Sequence, residues 1–546
     1  MIRLQIAVAL VVIAFASTVA AYTLIYTSAT SSPLRWPGTS QPIEMRLNDQ
    51  IGPGLPNLAA GSDPLAAIQR ALTKYPLISS VQFQSGTTAV TSGGQDGVNI
   101  VSFADTPANQ QVFEMAGGNA VIGLTLYFYS ANDIIEADLL FNPALQFTTT
   151  LDSDTALYDA GLFDVEAVAT HELGHVIGLH HTGVESATMW SLSSVLQRQL
   201  DADDIAGART LYPPGDARGT IRGHVTVDSQ SAFGAQIVAI DSNGSVAASA
   251  LSLPDGSYAI EQLPAGSYRA YVEPLDGPHS AVPNVPCIRL GNLSGAGIYS
   301  HATLTTNFPT QFADGVVVAS GQDTPLDFTL ISAAQSLNPV QIGPATVQGG
   351  SASASVSGIA LGVAPGSTQW IAVAGPGVDQ VAVSGFDFGP GISADPTMHY
   401  PVTFNCNNSP LPAMLLLITV DQATPPGGRT ITLTNGNQLA AFTGALRIAG
   451  NAPVEPTATP TSTRTPTVTR TPTSTTPVAT ATPGACVGDC DGNGKVSVDE
   501  LVKGVNIALG NDVVADCEPF DSNHDGKVTV DELVQAVNAA LNGCAT

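Results

Sequence analysis

The densest chemistry in the chain sits in eleven residues, His171-Glu172-Leu173-Gly174-His175-Val176-Ile177-Gly178-Leu179-His180-His181. On a helix, residues four apart share a face about one turn apart, so His171 and His175 can aim both imidazoles at one metal ion. Gly178 lets the helix end in a left-handed turn that other residues adopt only at a cost, and the returning chain then delivers His181 as a third ligand. His180 would point elsewhere. Three neutral imidazoles leave zinc one position for water, whose pKa falls towards about 7. Glu172 cannot join its neighbour as a ligand, but it is placed to take a proton from that water and return it to a leaving amine. One zinc ion is expected, because an all-imidazole tetrahedral set suits that metal.

A second constellation lies near the C-terminus. Asp489, Asp491, Asn493, Gly494, Lys495 and Glu500 recur 32 residues later as Asp521, Asn523, Asp525, Gly526, Lys527 and Glu532. They fall at positions 1, 3, 5, 6, 7 and 12 of an EF-hand loop. Oxygen side chains suit a hard cation, the glycine permits the sharp turn, and Lys495 and Lys527 offer main-chain carbonyls, so two calcium ions are expected. A helix should follow each loop, with Leu501, Val505 and Leu509 facing inward in one and Leu533, Val537 and Leu541 in the other. Four of the six cysteines, Cys486, Cys490, Cys517 and Cys544, crowd this stretch and predict disulfides whose pairing the sequence leaves open.

The elements that must position the histidines read as an α+β domain over residues 31–213. Residues 43–47, 98–103, 121–129 and 137–142 read as strands of a mixed sheet. Asp63 can cap a helix that starts at Pro64 and shows Leu65, Ile68 and Leu72 on one face. The active-site helix is expected over 164–179, and a last helix over 201–212. Residues 217–331 and 333–450 change to short strands between Gly, Asp and Pro turns, the texture of two β-sandwich modules, read as spacer or adhesion units. Residues 451–484 repeat Thr and Pro and cannot bury a core, so they predict an extended linker. Residues 485–546 form a small all-α domain.

At 546 residues the chain is too long for one core. Arg3, the apolar run 6–16 and the small residues at 18–21 read as a signal peptide over 1–21, with an uncleaved anchor as the competing reading because apolar character continues to Ile25. Export accords with cysteines in an oxidising compartment and predicts a secreted, extracellular or cell-surface protein. The formal net charge of −27 argues against nucleic acid and anionic membrane as partners, since both need a basic face.

The histidine pattern, followed by Ala187-Thr188-Met189-Trp190, resembles the metzincin metallopeptidases, whose turn methionine floors the metal site. That resemblance gives Met189 the floor. Within the clan the chain is most similar to the matrixins: Thr182 follows the third histidine, and residues 200–212 match the family's last catalytic-domain helix. The resemblance implies a polypeptide substrate bound along an edge strand, here residues 121–129. Two departures stand out. No histidine precedes His171, and Leu140 stands where a ligand of the structural zinc of animal matrixins would align. The first cysteine is Cys287, so a propeptide cysteine switch is absent. Residues 217–331 resemble transthyretin-like modules, and residues 333–450 read as immunoglobulin-like on pattern. The C-terminal loop-helix pair resembles dockerins and implies a cohesin-like or cell-surface partner, although Glu500 and Glu532 stand where dockerins usually carry Asp.

The expectation is a secreted zinc metalloendopeptidase with a calcium-dependent docking domain. The alternative is a non-catalytic surface adhesion or scaffold protein. Intact Glu172 favours the enzyme.

Overall fold

The structure, a computed structural model, describes residues 24–26, 32–38, 42–274, 307–348, 351–406 and 409–450. In the C-terminal stretch it describes 487–490, 495–508, 513–522, 526–529, 532–533, 535–536 and 539–540. The signal segment 1–21 and the linker 451–484 lie outside the described residues. The chain divides into two compact units, Met1–Pro460 and Thr461–Thr546.

The first unit opens on a five-stranded mixed sheet of β1 (Ile43–Asn48), β2 (Phe83–Thr88), β3 (Ile100–Ser102), β4 (Gly123–Ser130) and β5 (Asp133–Phe141), in the order β2-β1-β3-β5-β4. The pairs Ile43 with Phe83, Arg46 with Ile100 and Val101 with Leu139 are parallel. β4 runs antiparallel to β5 and forms one edge. The core face carries Met45, Leu47, Val101, Leu139 and a stacked pair, Phe103 and Phe141, with ring centres 3.9 Å apart.

Five helices accompany the sheet: α1 (Pro64–Leu72), α2 (Pro107–Ala116), α3 (Asp154–Ala160), α4 (Val165–Val176) and α5 (Ala202–Leu211). Asp63 caps α1 by accepting from Ala66 N at 3.0 Å. The buried face is Pro64, Ala67, Ile68, Ala71 and Leu72, while Leu65 is 40% exposed. The expected grouping of Leu65 with Ile68 and Leu72 is therefore corrected: the i, i+3, i+4, i+7 stripe starts one residue earlier, at Pro64. Arg70 and Lys74 both reach Glu166 at the start of α4, at 2.6 and 2.7 Å, so α1 is clamped to the active-site helix. β2, α2 and α3 went unread in the sequence. For α2 the signals were present: Thr106 accepts from Asn109 N, Pro107 opens the helix and Gly117 follows its end.

Leu140 is fully buried, and the adjacent loop, residues 93–98, is held by carboxylates. Gly94 N and Ile100 N donate to Asp138 at 2.9 and 3.0 Å, and Asp96 N and Gly97 N donate to Glu136 at 2.8 and 2.9 Å.

The rest of this unit is β-rich. Over residues 219–330 a four-stranded sheet in the order Val246–Leu251, Ala235–Ile240, Gly266–Pro274, Gln311–Val318 lies with a second sheet built around Gly219–Val227. Over residues 341–448 a five-stranded sheet containing Thr368–Ala374 and Ser409–Val420 shares a core with a four-stranded sheet containing Gly427–Asn435 and Gln438–Ile448. The reading of these regions as spacers is corrected. The hydrophobic core beneath α4 and α5 runs without a break into Ile221, Ile237 and Ile260. A smaller cluster joins Val184 and Ala187 to Val238, Tyr271 and Ala441. Apolar side chains on outward sheet faces are buried by the neighbouring region instead of by solvent-facing polar residues, which a period-2 pattern alone does not reveal.

In the second unit, α6 (Val498–Ala508) and two short 3-10 turns enclose Val496, Ile507, Phe520, Val528 and Ala536. Cys490 and Cys517 are disulfide-bonded. Cys486 and Cys544 lie outside the described residues, as do Leu509, Leu541 and the structure at Val537. Leu501 and Leu533 are partly buried against this core.

Candidate metal centre

α4 begins at Asp164, whose carboxylate accepts from Ala167 N at 2.8 Å and is gripped by Arg198 at 2.6 Å. The helix stops at Val176, and Gly178 follows with φ +99. A Cβ on Gly178 would also overlap the carbonyl oxygen of Leu34, so this position excludes side chains twice. The chain then turns back, and the ligand atoms of His171, His175 and His181 all lie within 4.8 Å of one another. Among the described residues this is the group of metal-ligand side chains that converges. His180 is outside it: its Nδ1 accepts from His181 N at 2.7 Å.

Ring orientation is set by carbonyls. His171 Nδ1–H donates to Thr188 O at 2.7 Å, and His175 Nδ1–H donates to Leu179 O at 2.8 Å. A carbonyl only accepts, so each imidazole keeps its lone pair on Nε2, the atom turned to the cluster. His175 Nε2 and His181 Nε2 are 3.3 Å apart. Two nitrogens held tetrahedrally by one zinc at about 2.1 Å would be about 3.4 Å apart. Burial pushes His171 down to about 3, helped by the neighbouring His175, and pushes His175 down to about 4. Both rings are thus neutral, as ligation requires.

Glu172 is buried beside the cluster. Thr125 Oγ1 on β4 donates to its carboxylate at 2.8 Å, and burial raises the group to about 7 against that bond. The approach of β4 to α4 depends on Gly123, where a Cβ would come within 2.8 Å of Glu172 Oε1 and of Val168 Cγ1. Below the ligands Met189 is 1% exposed and receives the Tyr75 hydroxyl at 3.7 Å. Gly174 makes room for it, since a Cβ there would overlap Met189 Sδ and meet Tyr75 Oη at 2.6 Å.

Several site residues were not anticipated. Asp204 lies in the first turn of α5. It is buried and accepts from Thr188 N at 2.8 Å and Met189 N at 2.9 Å, which fixes the turn whose carbonyl orients His171. Gln197 donates to Thr188 O and Trp190 O at 2.9 and 2.6 Å. Asp203 accepts from Thr182 at 2.6 Å and from Ser249 N and Oγ at 2.7 Å, which links the site to the neighbouring sheet. A cleft of about 370 Å³ runs over the cluster between edge strand β4 (Gly123, Leu124, Thr125, Tyr127) and Trp190–Ser193.

The C-terminal constellation is described in part. Asp489, Glu500, Asp521 and Glu532 are buried carboxylates. Glu500 accepts from Cys490 N at 2.9 Å and Ser497 N at 2.8 Å. Asp521 accepts from Gly526 N at 2.8 Å, and Gly526 has φ +82. Lys495 and Lys527 are exposed. Asp491, Asn493, Asn523 and Asp525 lie outside the described residues.

Fold and site together define an α+β domain in which three histidines converge beside one buried glutamate. Residues 56–213 match the matrixin family, Peptidase_M10, and the chain carries a matrixin domain there. Metalloendoproteinase 1-MMP of Arabidopsis thaliana is 45% identical over 53 residues, 9% of this chain and 15% of its own. Metalloendoproteinase 1 of Glycine max is 26% identical over 149 residues, 27% of this chain and 45% of its own. The chain thus spans less than half the length of each. Among solved structures, the major pilin subunit BcpA of Bacillus cereus aligns at 12% identity over 41% of this chain and 67% of its own. Its TM-score of 0.12 carries no argument.

Proposed function

We propose that the chain is a secreted zinc endopeptidase in which His171, His175 and His181 hold the ion, Glu172 is the general base and Met189 floors the site. The observation that carries this reading is the convergence of three imidazoles beside a buried carboxylate, with carbonyl bonds freeing the Nε2 lone pairs of His171 and His175. Zinc held there supplies Lewis acidity toward a peptide carbonyl and makes water easier to deprotonate. Glu172 takes the proton from the attacking water and returns it to the amine nitrogen as the C–N bond breaks. Burial makes this carboxylate a stronger base than an exposed glutamate, and Thr125 fixes one of its oxygens. The outer edge of β4 offers main-chain groups to an extended polypeptide laid along the cleft. The full chain supplied with zinc is expected to cleave casein, to stop when 1,10-phenanthroline strips the metal, and to recover on zinc addition. Undiminished cleavage by the stripped protein would end this reading.

The C-terminal unit fits two calcium ions, with ligands from Asp489, Asp491, Asn493, Lys495 O and Glu500, and from Asp521, Asn523, Asp525, Lys527 O and Glu532. The repeat, the buried acidic termini of both loops and the left-handed Gly526 support this. Its role is docking, with a cohesin-like or cell-surface module as partner. A 485–546 fragment is expected to lose its helical circular dichroism in EDTA and regain it with calcium. A spectrum indifferent to EDTA would refute calcium-dependent folding.

A further inference from the structure

Residues 182–200 leave the metal centre and return to α5 with one short 3-10 turn, Val195–Arg198, as their only helix or strand. Backbone polar groups that no regular element pairs need partners from within the segment or from elsewhere. Asp204 and Gln197 supply some. Asp154 accepts from Val195 N, and further partners lie 247 to 261 positions along the chain. Arg447, 3% exposed on the strand Gln438–Ile448, donates from Nη1 to Ser186 O at 2.7 Å and Leu196 O at 3.2 Å. Its Nη2 reaches Gln199 O at 3.1 Å and Leu200 O at 3.2 Å. One guanidinium thus donates to four carbonyls, of which Leu196 O also accepts from Gln199 N and Gln199 O from Thr188 Oγ1.

Two further contacts come from the same β-rich region. Trp190 Nε1 donates to Gly358 O at 2.9 Å, and Glu185 N donates to Thr443 O at 3.1 Å. The strands carry glycine where they meet the segment. A Cβ at Gly444, which has φ +71, would come within 2.9 Å of the Glu185 and Ser186 nitrogens, and one at Gly428 would overlap Ser186 Oγ. The segment is therefore seated on a fitted surface. It also forms the wall of the cleft facing β4, through Trp190, Ser191, Leu192, Ser193 and Gln197.

We infer that Arg447 is a positioning residue for the substrate cleft, so that the residues 341–448 help determine which side chains the peptidase accepts. The inference rests on the proposed peptidase reading. A wall held by four bonds to one buried cation keeps its shape against different substrates, whereas an unheld loop re-forms around each and discriminates less. Arg447 touches neither the reacting atoms nor the metal ligands.

The test uses the full chain with Arg447 intact, Arg447→Ala and Arg447→Lys. Amide hydrogen exchange at residues 190–193 is expected to speed up at least about tenfold in Arg447→Ala. Over peptides that differ at single positions around the cleaved bond, the ratio of best to worst kcat/KM is expected to shrink at least about fivefold, with a smaller change in kcat for the best peptide. Arg447→Lys, which keeps the charge but fewer bonds, should fall between, and it carries the same test if the alanine variant does not fold. Unchanged exchange and an unchanged ranking of peptides would overturn the inference. An unaltered chain that cleaves nothing would defeat the peptidase reading instead, and the exchange measurement would still decide whether Arg447 holds the wall.

Discussion

Replacing Glu172 by Gln is expected to lower kcat/KM for any peptide the chain cleaves by about three orders of magnitude while zinc stays bound, the scale of a lost general base. The swap keeps the volume and the Thr125 contact but removes the proton acceptor. His171 and His175 are untouched, because their orientation comes from Thr188 O and Leu179 O. Kinetics paired with zinc content of the purified variant check this. Activity within tenfold of the parent would remove Glu172 from the mechanism. The sign of the pH response follows as well. Only the carboxylate accepts a proton, so the rate rises with pH through the Glu172 pKa. Thr125→Val deletes a bond that stabilises the carboxylate, which raises that pKa and moves the acid limb to higher pH.

The second large effect is expected at Gly178. Alanine there takes a backbone angle of +99° that suits glycine, and its Cβ meets the main-chain oxygen of Leu34, which cannot swing aside as a side chain would. Leu34 is fully buried, its N donates to Ile25 O at 2.7 Å, and Ile25 N in turn donates to Gly178 O at 3.0 Å. A loss of at least about 3 kcal/mol, or a drop in Tm of roughly 6–12 °C, is expected for a domain of this size. Zinc affinity should fall too, because the turn delivers His181. Thermal melting and a zinc titration of Gly178→Ala measure both. An unmoved Tm would show that the turn relaxes freely.

The sequence made the ligand set legible because it is local. Helical spacing places His171 and His175, a glycine marks the turn, and His181 follows within a few residues. The Asp63-Pro64 start of α1 was readable for the same reason. What escaped is what only tertiary contact creates. Thr125 meets Glu172 across 47 residues, Gly123 is recognisable only from the carboxylate it admits, and Arg447 reaches its carbonyls from a different pair of sheets. Asp204 is an intermediate case. Its place in the first turn of α5 announced a helix start, and the sequence even carries the capping partner Asp201. That both of its oxygens would also grip Thr188 and Met189 depends on how the helix packs, which a helix-dipole argument does not contain.

The loop over residues 93–98 hangs from Asp138 and Glu136, anchors built into the polypeptide itself. Its posture is consequently tied to β5, the strand that carries both carboxylates.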